Sequence, residues 1–514
     1  MKPSAPASRS ALAAGVLAAL ALSLGACDKQ AVLPEGGPAA TRGTEGGGGA
    51  DGESARASTT NVVLLVADDL GYFDIGAYGN DFVETPNLDR MAAEGIRFSE
   101  SYASGAVCSP SRAAIQTGLT PARLGITEHF HGPTQPQPWM RVIPPDNEPN
   151  LATRYTTVAE DLRRAGIARR LHIGKWHAGS NGPIAHGYSG IYGGSGGYWL
   201  NSQYHWPYWN GVDPNGSGPY AEVVRDSEPG DYLTDVLTDR ALREVAEAVA
   251  ADEPFFLHVD FYAPHVPIDG KPALVAKYEA KKASGTYTVD MDPHYAAMVE
   301  TIDANVGRIL DTLTALGAAA NTVVIFTSDN GGLADRENPP FDPHTPATDN
   351  GPLRAGKGHL YEGGTRVPTL AWGGPVAGGR VSEAYHLGHD LYPTIFELVT
   401  GAPTATQTDG RSLAEHYRGA GDSDAEDRPV LWHYPHYSNQ GGVPRSSLRQ
   451  GAYKVIYDWG DSTTQLYNVR GDLGERMDLA GCGQGVVDSL GGMLRAALEA
   501  QGAKLPVPNP DFGG

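Results

Sequence analysis

The sequence predicts an α/β protein with a mostly parallel sheet covered by helices, and two observations carry that expectation. From Asn61 onward, short β-branched runs alternate with helical stretches, as they do when helices form the crossovers between parallel strands. The runs are also largely apolar, as strands buried on both faces are. Composition is compatible: apolar residues make up 40% of 514, which rules out a chain disordered throughout. The length corresponds to about three or four units of roughly 150 residues. With 66 Gly and 38 Pro the chain is rich in tight turns and long surface loops, where function usually sits.

The elements follow in order. Lys2 and Arg9 precede an apolar run from Ala11 to Leu24, which reads as an export signal and is shorter than the roughly 20 residues a membrane span needs. It ends in Leu24-Gly25-Ala26-Cys27, which resembles a bacterial lipobox; cleavage before Cys27 and lipid attachment to it are expected, with an ordinary secretory signal as the alternative. Residues 1–26 are then signal, and residues 27–60, with Gly46 to Gly49, a flexible linker. Within the 61–420 domain, Val62–Val66, Phe255–Phe261 and Thr322–Thr327 read as buried strands and Leu171–Ile173 as a weaker fourth. Helices are expected over Pro86–Glu94, Leu233–Ala250, Tyr295–Leu316 and Asp390–Val399, with a capping box at Thr157–Glu160 and Gly166 at the C-terminal end of that helix. In residues 421–514 a smaller α+β subdomain is expected, with Tyr453–Tyr457 and Gln465–Tyr467 forming an antiparallel hairpin.

Polar residues follow each expected strand: Asp68 and Asp69, then Lys175 and His177, then His265, then Asp329 and Asn330. In open α/β sheets the ligand crevice lies beyond the carboxyl ends of the strands, so these four segments are expected to converge. Asp68, Asp69, Asp329 and Asn330 supply hard oxygens, and grouped carboxylates repel unless a cation neutralises them, which points to calcium first and magnesium second. Cys108 precedes the helical stretch Ala113–Thr117, where free N–H groups favour an anion. A disulfide between Cys108 and Cys482 is the alternative.

Cys108-Ser-Pro-Ser-Arg112, Gly174-Lys-Trp-His177, Pro264-His265, Ser328-Asp-Asn-Gly331 and the run from Gly356 through Lys357 to Pro368 together resemble the type I sulfatase family, from about residue 61 to 480. The resemblance implies an alkaline-phosphatase-like fold with a mixed, mostly parallel sheet. It implies a sulfuric ester hydrolase in which a maturation enzyme converts Cys108 to formylglycine, whose hydrate attacks sulfur and then collapses to expel sulfate. By the same resemblance Asp68, Asp69, Asp329, Asn330 and the modified Cys108 hold calcium, and Arg112 steadies the diol. Lys175 and Lys357 grip sulfate oxygens, His265 protonates the leaving alcohol, His177 helps break down the hydrate, and Asp329 also accepts the nucleophile's proton.

A net charge of −21 argues against duplex nucleic acid as a partner, since phosphate binding needs a basic face. The expected substrate is a sulfated small molecule or glycan, met by a locally positive pocket. Tyr188, Tyr192, Tyr198, Trp199, Tyr204, Trp206, Tyr208 and Trp209 lie in a Gly-rich stretch ending near Tyr220 and read equally as a sugar-stacking surface or as inward packing. His433 and His436 are weak candidates for contacts to the leaving group. Two other readings remain open: a phosphonate monoester or phosphodiester hydrolase, and a sulfoglycan-binding surface protein tethered through Cys27, with no catalysis.

Overall fold

The computed structural model describes residues 60–129, 136–194, 203–208, 221–336, 338, 342–421 and 428–513. The export signal, Cys27 and the linker up to residue 59 lie outside them, as do Tyr198, Trp199, Trp209 and Tyr220.

Eight strands form the central sheet: β1 (Asn61–Ala67), β2 (Ile96–Phe98), β3 (Arg169–Gly174), β4 (Gly190–Tyr192), β5 (Phe255–Asp260), β6 (Thr322–Ser328), β7 (Thr369–Trp372) and β8 (Arg380–Ser382). Across the sheet they run β8, β2, β7, β6, β1, β5, β3, β4. All neighbours are parallel except that β7 is antiparallel to both β2 and β6, so the sheet is mixed and mostly parallel.

The unbroken apolar runs have a direct cause in the layering. Along β1, Val63, Leu65 and Ala67 enter one hydrophobic cluster, while Val62, Leu64 and Val66 enter the other. The first cluster packs beneath helices Pro86–Glu94, Leu233–Ala250 and Pro293–Ala315, the second beneath Cys108–Thr117, Val158–Arg164 and Leu391–Thr400. Because β1 is covered on both sides, no face of it is left for polar residues, and its chemistry is displaced to its end.

Local signals set the helix ends. Thr157 and Glu160 form the expected capping box. The long helix begins two residues before the expected Tyr295, because Asp292 accepts from the N–H groups of His294 and Tyr295 and Pro293 takes the first turn. The helix after Cys108 also starts earlier than expected, at Cys108 itself, and ends at Gly118, whose φ of 67° is readily adopted without a side chain.

Near the C-terminus a separate antiparallel sheet runs β9 (Val430–Tyr434), β10 (Arg445–Gln450), β11 (Tyr453–Asp458) and β12 (Thr463–Asn468), in that order. The expected hairpin is β11–β12. Helix Gln484–Ala500 covers this sheet, burying Leu490, Leu494 and Leu498 against Leu448, Val455 and Leu466. Among the described residues no helix is long and apolar enough to cross a membrane.

Candidate active site

Because β1, β3, β5 and β6 are mutually parallel neighbours, their carboxyl ends open on one edge of the sheet. Asp68 and Asp69 follow β1, Lys175 follows β3, His265 lies on the loop after β5, and Asp329 and Asn330 follow β6. The helix Cys108–Thr117 brings its first residue to the same edge, and the loop carrying Lys357 closes over it.

The distances make this one cluster. The Cys108 thiol donates to Asp68 Oδ1 at 3.4 Å and lies 3.8 Å from Asp69 Oδ1. Lys175 Nζ lies 2.5 Å from Asp68 Oδ2 and Lys357 Nζ 2.7 Å from Asp69 Oδ2. His265 Nε2 is 3.7 Å from the same Asp69 oxygen. Asn330 Nδ2 donates to Asp69 Oδ1 at 2.8 Å, and the Asp69 amide donates to Asp329 Oδ1. Arg112 Nε and Nη2 both reach Asp329 Oδ2 at 2.8 Å. Nine of the ten residues expected from sequence are thereby linked through these contacts. The tenth, His177, is buried and close enough to Lys175, Arg112 and His265 for their charges to act on it.

Two members hold unusual backbone. Asp69 has φ 67° and His177 has φ 46°, the left-handed region that costs a residue with a side chain about 1–3 kcal/mol. Asp69 has compensation in place, because its amide and carboxylate are both fixed by partners across the sheet.

The electrostatics follow from burial among paired charges. Burial works against the charged form of Asp69, yet Lys357, His265 and Lys175 hold its carboxyl well below the usual range. Burial pushes Asp329 upward, with Asp68 and Asp69 adding repulsion that Arg112 only partly offsets. Burial also raises the Cys108 thiol well above its ordinary value despite both lysines, so the unmodified side chain is held as a thiol and is a poor nucleophile. His265 is pushed down to about 3, by burial first and then by Lys357 and Lys175. His177 is driven well below its ordinary value, again mainly by burial.

Several expectations are corrected. Cys108 is a free thiol, so it forms no bridge to Cys482. Tyr188, Tyr192, Tyr204 and Tyr208 are buried, so the described part of the aromatic stretch packs inward. Tyr204 is useful there: its hydroxyl lies 2.6 Å from the Tyr262 carbonyl and 2.9 Å from that of His265, pinning the loop that carries the histidine. His433 has both ring nitrogens occupied, by Ser446 Oγ and the Lys504 carbonyl, and His436 Nε2 is taken by Thr127 Oγ1, so none of these three nitrogens is open to a leaving group.

The chain is similar to known proteins along most of its length. The family model described as Sulfatase matches residues 60–402. The chain belongs to the sulfatase family. A sulfatase of Formosa agariphila is 30% identical over 483 residues, covering 82% of this chain and 84% of the relative. The N-acetylgalactosamine-6-sulfatase of Rattus norvegicus is 34% identical over 425 residues, covering 78% and 72%. Among solved structures, that of Ps i-CgsB matches with a TM-score of 0.68 at 27% identity, covering 86% of this chain and 93% of its own. The protein is accordingly a sulfuric ester hydrolase of alkaline-phosphatase-like fold.

Sequence reasoning missed two groups of residues in this sulfatase. His172, His258 and Asp260 stand directly behind Arg112, all buried. The signal was legible: His258 and Asp260 are two residues apart in an otherwise apolar strand, so they share a face, and polar residues in such a run need partners. The second miss is Glu128 with His129, whose Nδ1 meets the Glu128 carboxylate, while Tyr434 donates to the other carboxylate oxygen.

Proposed function

We propose that this sulfatase removes sulfate from a carbohydrate, using formylglycine made from Cys108 by a maturation enzyme and a calcium ion held by Asp68, Asp69, Asp329, Asn330 and the converted side chain. The observation that carries the reading is the meeting of a helix-start cysteine, three buried carboxylates and two buried lysines at one sheet edge. The carbohydrate part rests on the rat relative, whose name specifies a sulfated amino sugar.

The donor set suits the ion. Asn330 Oδ1 is buried and finds no hydrogen-bond partner among the described residues, although its Nδ2 is engaged twice. Orphaned oxygen beside three carboxylates is what a hard dication satisfies, and magnesium is second because it usually keeps several waters. When bound, calcium supplies Lewis-acid charge, and formylglycine supplies as its hydrate both the hydroxyl that attacks sulfur and the one whose collapse frees sulfate.

The chain's own residues do the rest. Lys175 and Lys357 place two ammonium groups where sulfate oxygens must sit, and burial makes each charge count for more than it would in water. Arg112 holds Asp329 at two points, which aims that carboxylate to take the proton of the attacking hydroxyl. His265 lies 2.7 Å from the Val266 carbonyl through Nδ1, which fixes the proton there and leaves Nε2 facing the site. A sulfate placed between the lysines offsets the charges that depress this ring, so that Nε2 can carry a proton to the leaving alcohol. His177, kept neutral by burial, is suited to accept a proton during breakdown of the hydrate. Export and a lipid anchor at Cys27 belong to the same proposal and rest on the sequence of residues 1–27.

The test uses the full chain co-expressed with a formylglycine-generating enzyme. Mass spectrometry of the peptide containing Cys108 should show an aldehyde, and sulfate release from sulfated sugars should exceed release from phosphate or phosphonate esters. A residue that stays a thiol, or preferred turnover of phosphonate monoesters, would overturn the reading.

A further inference from the structure

We infer that Asp260, held by His172 and His258, is a positioning residue that fixes Arg112 in the reaction centre. The inference rests on the reading of Arg112 as part of that centre.

Three segments close a ring at this point. The Asp260 carbonyl accepts from the Lys175 amide at 2.9 Å. The Lys175 carbonyl accepts from Arg112 Nη1 at 2.9 Å, and Arg112 Nη1 also donates to Asp260 Oδ1 at 2.8 Å. One residue at the end of β5 thus ties down the residue after β3 and the guanidinium from the helix that begins at Cys108. The approach is so close that a Cβ on Gly174 would stand 1.9 Å from the Asp260 carbonyl oxygen, and the φ of 93° there suits glycine as well.

Arg112 is accordingly gripped from two sides. Asp329 takes its Nε and Nη2 on the reacting side, while Asp260 takes Nη1 from behind. A guanidinium is a rigid planar fork, so fixing both ends fixes its plane.

Asp260 is itself aimed by two imidazoles. The register of β3 against β5 sets His172 beside His258 and Gly174 beside Asp260. His172 Nε2 lies 2.8 Å and His258 Nε2 3.1 Å from Asp260 Oδ2. Behind His258, Gln116 Nε2 lies 3.2 Å from Nδ1, while the Tyr188 hydroxyl lies 2.9 Å from Nδ1 and 2.9 Å from Gln116 Oε1. If Tyr188 gives its proton to Gln116 Oε1, the Gln116 amide points its N–H at His258 Nδ1, which makes Nδ1 the acceptor and puts the ring's remaining proton on Nε2, the nitrogen nearer Asp260. Asp260 stays ionised in this setting: burial opposes it, but His258, Arg112 and the close His172 ring hold its carboxyl well below the usual range.

Two histidines and a carboxylate are also a metal-ligand set. The Arg112 guanidinium on the other Asp260 oxygen decides between the readings, because a dication there would lie beside a buried cation with one carboxylate to share. A buried acceptor that orients a charged catalytic group is the arrangement whose loss typically lowers activity about 10- to 100-fold.

The experiment compares Asp260→Asn and His258→Phe with the unaltered enzyme, each normalised to formylglycine content at position 108 and to folded fraction. Asp260→Asn should lower kcat about 10- to 100-fold with KM within about twofold, since Lys175 and Lys357 still hold the substrate. His258→Phe, which keeps an aromatic side chain in the strand, should lower kcat about 3- to 10-fold with the same unchanged KM. A kcat within twofold of the unaltered enzyme in both variants, or losses that follow the folded fraction alone, would overturn the assignment. If Asp260→Asn does not fold, His258→Phe decides by the same criterion. Zinc in stoichiometric amount that is lost from either variant would overturn it in favour of a metal site. An unaltered, converted enzyme that fails on sulfate esters would instead count against the proposed function, so the two failures are distinct.

Discussion

Two clusters of buried charge in this protein have nearly the same ingredients and different fates. At the sheet edge, Asp68, Asp69 and Asp329 face Arg112, Lys175 and Lys357. Between the central sheet and the C-terminal one, Glu100, Glu362 and Glu475 face Arg366, Arg449 and Lys454. Each sets three acids against three bases. In the second, Lys454 reaches Glu362 at 2.9 Å and Glu475 at 3.2 Å, with all three side chains fully buried, and Glu475 accepts from the Glu362 amide as well. Its charges tie β10 and β11 to the segment after Lys357. The first cluster adds what the second lacks: a thiol at a helix start, an orphaned amide oxygen, and His265 and Lys357 at a rim that is not completely closed. Burial of charge therefore marks a costly arrangement, and only the further chemistry tells a site from a clamp.

The contrast can be broken by mutation, beginning with the clamp. Lys454→Met should destabilise the fold by about 3–5 kcal/mol, because it leaves Glu475 buried without its cation and Glu362 with Arg366 alone, while kcat per folded molecule stays the same. Denaturant unfolding and assay of the surviving fraction check both halves. Lys357→Ala should behave in the opposite way, lowering kcat/KM on a sulfate ester about 10²- to 10³-fold with a smaller loss of stability. Equal stability losses in the two variants would erase the distinction.

Metal removal sharpens the contrast on the side of the site. Chelation should abolish turnover and lower the unfolding midpoint, and calcium at about a hundred times its Kd should restore about 2.7 kcal/mol. Lys454→Met should leave the calcium affinity unchanged, as read by calorimetry.

The smallest effect comes from a buried carboxylate outside both clusters. Asp303 is buried and accepts from the Asn87 and Leu88 amides and from Asn87 Nδ2, at the start of helix Pro86–Glu94. Burial raises it to about 6 from an ordinary 3.8. The folded protein therefore holds this proton more tightly than the unfolded chain, so the group lowers stability as pH rises from about 4 to 6 and its full penalty is present above 6. Asp303→Asn should flatten that part of the stability curve by about 2 kcal/mol, seen as unfolding midpoints at pH 4.5 and 7 drawing together.

Much of the site is legible in the sequence, for a local reason. Asp68, Asp69, Lys175, Asp329 and Asn330 each follow an apolar run at once, and a strand's end is fixed by its own sequence. The boundary errors are also local: the Asp292-Pro293 start signal was present and passed over, and Cys108 opens its helix without a side-chain cap. What was not readable is the partnering across large separations. Asp260 stands 148 residues from Arg112, and nothing near either one names the other. The inward turn of Tyr188 and Tyr204 and the occupied ring of His433 are of this kind too, since an aromatic or imidazole side chain suits an interior and a binding surface equally well.

The sequence alone determined the four central strands that carry the site, most of the long helices and the residues delivered to the carboxyl edge of the sheet, because periodicity, caps and turns act over a few neighbouring residues. Only the tertiary structure decided which carboxylate holds which cation, which histidines are occupied and which cluster keeps an open rim. Those outcomes depend on strand register and on the close packing of segments 100 to 300 residues apart, where a shift of one residue exchanges every partner.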